Sequence, residues 1–247
     1  MLRVSKQTNF ILRPLMTFLN SLGRTKKAVL SSFSTFRNAS RLVSQTNCNP
    51  EFHGNPKYGG WAICPTLLSH KSIIYSVGVG EDISFDLSVI QKFGCRIYAF
   101  DPTPRSKAWL DSQDLPPQLT FFQYGLAHYD GTAMFYPPDN PLYVSHSIIK
   151  KSGQALPAFE AKVFTVSTLA NMLGHNKIDL LKMDIEGAEY EVIDDIVGQS
   201  GIKIDQILVE FHSTTFSVSK SIGKLKNAGY GIFWISPNKS EFGFVLT

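Results

Sequence analysis

The sequence predicts an α/β fold: a mostly parallel sheet finished by an antiparallel C-terminal hairpin, with helices on both faces. Three observations predict it. Short apolar runs rich in β-branched residues, such as residues 72–77 (SIIYSV) and 178–183 (IDLLKM), read as strands buried on both faces. Helical patterns closed by glycines follow several of them, as at Gly94, Gly174 and Gly229. The last two apolar runs are separated only by a Pro-Asn-Lys-Ser turn, which marks a hairpin. Strands alternating with helices require crossover connections, and these build a parallel sheet with covered faces.

Composition bounds the rest. The chain has 247 residues, 43% hydrophobic, 12% aromatic and 18% charged, enough for one domain with a sizeable core. It is too apolar for a disordered chain and too poor in Gly and Pro for a fibrous one. No stretch approaches the ~20 apolar residues that cross a bilayer. Cys48, Cys64 and Cys95 are widely spaced with no CxxC pair. This argues against a disulfide scaffold or a cysteine zinc site and for a reducing, cytoplasmic setting.

Charge divides the chain at about residue 50. Residues 1–50 carry eight Lys or Arg and no acid, leaving 16 basic against 20 acidic side chains in residues 51–247. A body with a net charge of −4 is not that of a nucleic-acid binder. The basic arm places Ile11, Leu15, Phe18 and Leu22 at helical spacing, with Pro14 near the start and Gly23 at the end. Three readings stay open for it. It is a packed or poorly ordered extension, an organellar transit peptide, or a peripheral contact with anionic lipid. Arg13 interrupts the apolar run, which disfavours a secretory signal.

The body, residues 51–247, reads in order. Strand 72–77 ends in Gly78-Val79-Gly80, and Asp82 opens a helix with Ile83, Leu87 and Ile90 on one face. Strand 95–100 ends at Asp101-Pro102, and a short helix and a Pro-Pro break lead to strand 120–124. Residues 132–157 look like an insertion without a period. A short extended run at 163–166, a helix to Leu173, strand 178–183, a helix over 187–197, strand 206–211 and a helix over 218–228 lead to the hairpin.

In such sheets ligands bind beyond the carboxyl ends of the strands, near the switch in strand order. The Gly78-Val79-Gly80 turn lets a ligand approach the backbone closely. Asp101 follows Gly78 by 23 residues, where a carboxylate can hold both hydroxyls of a ribose. The plainer alternative makes the glycines turn residues and Asp101 a helix cap. A dinucleotide site would show a third glycine under the pyrophosphate. Here Glu81 and Asp82 follow at once, repelling a pyrophosphate but suiting a sulfonium and an amino group. These features point to S-adenosylmethionine.

Residues 75–86 (YSVGVGEDISFD), 100–104 (FDPTP), 181–189 (LKMDIEGAE) and 209–212 (VEFH) resemble the FkbM family of methyltransferases. The resemblance covers roughly residues 55–247. It implies a class I, Rossmann-like S-adenosylmethionine-dependent fold with seven strands, the last antiparallel. It also implies O-methylation of a sugar, glycan or secondary-metabolite hydroxyl. By the same resemblance Gly78 and Gly80 line the methionine portion and Asp101 holds the ribose; Glu81 joins the cofactor site by its charge beside the glycine turn. One departure matters. Ser76 and Asp82 stand where many class I enzymes have an acid and a glycine, so the amino-acid end of the cofactor is held differently.

Asp184 falls at a strand end beside the glycine turn, and Glu186 and Glu189, three apart, fit one helical face. Negative charge at a helix start is also favourable in itself. Glu210 and His212 alternate on one strand face. If the two strands are neighbours, His212 and Asp184 converge, with His212 as general base and Asp184 and Glu186 beside it. A divalent metal on Asp184, Glu210 and His212 is the competing use. The other five histidines are expected in solvated loops. Residues 55–61 form a lid or an ordinary packed segment, and Ser145, His146 and Ser147 face the acceptor by position. Two other functions compete: a nicotinamide-dependent oxidoreductase, and a non-catalytic nucleoside-binding module.

Overall fold

The computed structural model describes residues 46–138, 140, 144–150, 158–198, 201–212 and 215–247. The helical stripe expected in the arm lies outside the described residues. Twelve strands and five α-helices are described. Among these residues no helix is long and apolar enough to cross a membrane.

The central sheet is built from β3 (Ile73–Val77), β4 (Arg96–Phe100), β5 (Leu119–Phe122), β9 (Lys177–Met183), β10 (Lys203–Glu210), β11 (Tyr230–Ile235) and β12 (Glu241–Leu246). Their order is β11-β12-β10-β9-β3-β4-β5. All neighbouring pairs are parallel except those made by β12, which runs antiparallel to both β10 and β11. The chain winds outward from β3 to β5, then returns to β9 on the other side of β3. The switch in direction therefore opens a crevice beyond the ends of β3 and β9.

Local chemistry sets these elements. Helix α1 (Ser84–Phe93) buries Phe85, Val89 and Ile90, and it stops where Gly94 turns left-handed at φ 66°. Helix α2 is Pro104–Leu110, with its proline in the first turn. In α3 (Val166–Leu173) the Thr165 hydroxyl caps the start by accepting from the Thr168 N–H. Helices α4 (Glu189–Gly198) and α5 (Thr215–Asn227) follow β9 and β10. Tyr75, Phe85, Phe100, Phe242 and Phe244 are the largest side chains wholly withdrawn from solvent.

The structure refines several expectations. Residues 132–157, expected as an insertion, begin within a strand. β7 (Gly131–Phe135) pairs with β8 (Phe159–Phe164), and β8 pairs with β6 (Gly125–Leu126), giving a second, three-stranded sheet. Its strands are short and pair with partners distant in sequence, which no local pattern identifies. The segment before β3 is a hairpin, β1 (Glu51–His53) with β2 (Trp61–Ile63). That pairing brings Cys48 and Cys64, which flank it, to a Cα–Cα distance of 5.5 Å, and they form a disulfide. The cysteines are therefore not all free, and they no longer point to a reducing compartment. Finally, His53 is buried, with Nδ1 2.9 Å from the Ser88 hydroxyl, and His175 Nδ1 lies 2.8 Å from the Tyr75 hydroxyl.

Candidate active site

The switch point is built around the turn after β3. Gly78 and Gly80 have φ of 77° and 57°, the left-handed region that side chains disfavour. The Gly78 N–H donates to the Phe100 carbonyl at 2.9 Å, and the Asp184 N–H donates to the Val77 carbonyl at 3.1 Å. The turn is thus wedged between the ends of β4 and β9. A Cβ on Gly78 would stand 1.8 Å from the Asp184 carbonyl oxygen, so only glycine fits.

Asp101 closes the β4 side. Its Oδ2 accepts from the Gly80 N–H at 2.9 Å, and its Oδ1 accepts from the Thr103 N–H at 2.8 Å and from the Thr103 hydroxyl. At 5% exposure it is more enclosed than a strand-end position implies. Asp101 therefore braces the glycine turn and the start of α2 while also lining the cavity. Two neighbouring acids have other duties than those read from sequence. Glu81 lines the cavity, but Arg105 grips its carboxylate at 2.8 and 2.7 Å. Asp82 Oδ1 accepts from the Ser84 N–H at 2.6 Å, which organises the start of α1.

On the β9 side two charged groups went unnoticed in the sequence. Lys182 is 5% exposed; its Nζ donates to the Gly78 carbonyl at 3.1 Å and lies 5.7 Å from the Trp61 ring centre. Asp86, on the inner face of α1, is 1% exposed. Burial pushes its pKa up to about 6, against the pull of Lys182 and of the neighbouring Ser76 hydroxyl. A lysine inside an apolar strand run and an aspartate on an apolar helix face were the visible signals for both.

β9 and β10 are neighbours, and their ends bring the predicted residues together. His212 Nε2 lies 3.5 Å from Asp184, 3.7 Å from Glu186 and 3.9 Å from Glu210, and its Nδ1 lies 3.6 Å from Glu189. Burial works against a charged imidazole, but Glu189 and then Asp184 and Glu186 outweigh it, raising His212 to about 9. The shift favours the imidazolium, which has no lone pair to accept a proton, against the general-base role expected from the sequence. Two of the carboxylates are raised as well. Burial and then the charge of Asp184 push Glu210 up to about 7, and burial also raises Asp184. The ligating atoms of Asp184, Glu210 and His212 lie within 4.8 Å of one another, a spacing that a divalent cation also accepts.

Glu186 and Glu189 do not share a helical face. Glu186 precedes α4 in a left-handed conformation, φ 52°. Glu189 is fully buried and accepts from the Gly187 and His212 backbone N–H groups, each at 2.7 Å. It ties β10 to the start of α4 and so fixes the histidine, a role that its place in an acidic run concealed.

These parts line one cavity of about 680 Å³, within the ~300–1,000 Å³ usual for small-molecule sites. Gly78, Gly80, Glu81 and Asp101 lie along it with Asp184, Glu186, Glu210 and His212. The loop of the β1–β2 hairpin contributes Lys57, Tyr58 and Gly59, and the stretch after β7 contributes Val144, Ser145 and His146. Ser147 does not face it; the Ser147 hydroxyl donates to the Glu186 carbonyl at 2.5 Å.

The sheet order, with one antiparallel strand inserted beside β10 and a glycine turn at the switch point, defines a class I methyltransferase fold. Residues 69–232 match the methyltransferase FkbM domain, and the chain belongs to that family. It is 26% identical over 168 residues to a human protein described as probable methyltransferase-like protein 24, covering 64% of this chain and 39% of that one. The rat protein of the same description is 29% identical over 167 residues, with the same coverage. The chain thus spans about 39% of the length of the curated relatives it matches. Among solved structures it is similar to a Methanococcus jannaschii fibrillarin pre-rRNA processing protein, at 10% identity and a TM-score of 0.42 over 72% of this chain and 67% of that one. It is also similar to Aeropyrum pernix fibrillarin with natively bound S-adenosyl-L-methionine, at 10% identity and a TM-score of 0.39 over 83% and 85%.

The family's cofactor is S-adenosylmethionine, and the residues fit it. The two glycines leave a cradle that a Cβ would fill, and acidic side chains surround a place for a cation.

Proposed function

We propose that the chain transfers the methyl group of S-adenosylmethionine to a hydroxyl of a sugar, glycan or other small metabolite. The observation that carries this reading is the placement of Asp184, Glu210 and His212 in the same cavity as the glycine turn and Asp101. S-adenosylmethionine supplies an electrophilic methyl and takes no part in deprotonating the acceptor. The chain's own work is to position the hydroxyl in line with that methyl and to receive its proton. The Asp184–Glu210 pair suits the second task, because its raised pKa values make it a stronger base than an ordinary carboxylate. His212, charged and in contact with both, keeps the pair from holding its proton too tightly. Ser145 and His146, which line the cavity, are assigned to the acceptor.

The reading predicts a turnover that rises with pH as the carboxylate pair loses its proton near the Glu210 value of about 7. That limit is a macroscopic value of the coupled cluster. The direct test is transfer of a tritium-labelled methyl from S-adenosylmethionine to purified glycans and metabolites, followed by identification of the product. A labelled hydroxyl carries the proposal; label on nitrogen or carbon overturns the acceptor class, and no transfer to any candidate favours the binding module. Activity abolished by a chelator and restored by a divalent cation would assign the three side chains to a metal.

A further inference from the structure

A cofactor that ends in an amino acid needs a partner for its ammonium group, and most acids near the glycine turn are already engaged. Arg105 holds Glu81, the Ser84 N–H occupies Asp82, and Gly80 and Thr103 occupy Asp101. Asp86 differs. It lines the cavity at 1% exposure, and its Oδ1 has no hydrogen-bond partner among the described residues. The Ser76 hydroxyl beside it on β3 is wholly buried and equally unpartnered by hydrogen-bond geometry. Buried acceptors are rarely left unpaired unless a ligand or water completes them.

Asp86 and Lys182 both line the cavity. Asp101 stands at the end of β4, on one side of the turn, and Lys182 stands on β9, on the other. A nucleoside held on the Asp101 side therefore extends its far end over β3 towards β9, where Asp86 and Lys182 line the cavity. Lys182 Nζ spends one donor on the Gly78 carbonyl. Its remaining N–H groups can serve an anion.

We propose that Asp86, assisted by the Ser76 hydroxyl, binds the α-ammonium group of the cofactor, while Lys182 faces its α-carboxylate. The buried Asp86–Lys182 pair then matches an amino-acid zwitterion charge for charge, and the acceptor left without a partner gains one. The assignment rests on the S-adenosylmethionine reading above. It explains how a turn with serine at position 76 retains a carboxylate for the amino group: the acid comes from the helix, ten residues later in the chain.

The test pairs a change in the protein with a change in the ligand. S-adenosylhomocysteine and its analogue with hydrogen in place of the α-amino group are titrated by calorimetry into the wild-type chain and into Asp86→Asn. Wild type should bind the des-amino analogue about 10- to 150-fold more weakly, the worth of one charge-assisted hydrogen bond. Asp86→Asn should lose a similar factor for S-adenosylhomocysteine and almost nothing for the analogue, so the preference collapses. A variant that keeps the preference, or that weakens both ligands equally, overturns the assignment. Should Asp86→Asn fail to fold, the wild-type pair of titrations still decides: equal affinity for the two ligands overturns it. Wild type that binds neither ligand removes the cofactor reading itself, an outcome distinct from loss of the preference alone.

Discussion

Asp184→Asn should lower turnover by about 10²- to 10⁴-fold, the usual worth of a positioned proton acceptor, and leave S-adenosylhomocysteine affinity nearly unchanged. The substitution keeps the side chain's size and the backbone carbonyl against which Gly78 packs, so the glycine turn should hold its shape. What it removes is the basicity of the pair with Glu210. His212→Ala should also lower turnover at neutral pH, for a reason different from loss of a base. Asp184 and Glu210 would lose their cationic neighbour, and their raised pKa values would climb further. The rising limb of the pH profile should then move to higher pH, and alkaline buffer should restore part of the rate. The Asp184→Asn, His212→Ala double variant should be little worse than Asp184→Asn, because the side chains act as a unit. Single-turnover kinetics with the native acceptor across pH 5–10 measures all three. A His212→Ala profile with an unshifted limb would remove the electrostatic role assigned to the imidazolium.

Asp101→Ala should be the most damaging change for cofactor affinity. Losing even one charge-assisted bond to the ribose costs roughly 1.5–3 kcal/mol, about 10- to 150-fold in affinity. The true loss should lie at the upper end of that range or beyond it. The same carboxylate accepts from the Gly80 and Thr103 N–H groups, and removing it leaves two enclosed donors unpaired. Asp101→Asn keeps the volume and one acceptor, so it should fall between alanine and wild type. Calorimetry with S-adenosylhomocysteine measures the losses, and circular dichroism of each variant separates lost affinity from lost fold. Unchanged affinity in Asp101→Ala would move the nucleoside to another part of the cavity.

Most strands of the central sheet were legible because they are buried on both faces. Runs such as IIYSV and ILVEF carry a signal that needs no knowledge of their partners. β7 was not, and β8 only at its end near residues 163–166, since each is short and pairs with a strand distant in sequence. The disulfide was hidden for the same reason: only the β1–β2 hairpin brings Cys48 to Cys64. In the site, Gly78, Gly80, Asp101, Asp184 and His212 could be placed from their position after strands, which fixes an address but not a charge state. His212 took its raised pKa from three helix-side or strand-end carboxylates that converge only in three dimensions. Asp86 and Lys182 were readable as charges in apolar patterns, yet a pattern does not say whether such a charge faces solvent or a cavity.

The claim beneath all of this is that the cavity over the Gly78–Gly80 turn receives S-adenosylmethionine. Calorimetric titration of S-adenosylhomocysteine and of NAD into the wild-type chain tests it most directly. The account predicts a single saturable site for S-adenosylhomocysteine and no measurable heat from NAD. Saturable binding of NAD with none of S-adenosylhomocysteine would contradict it.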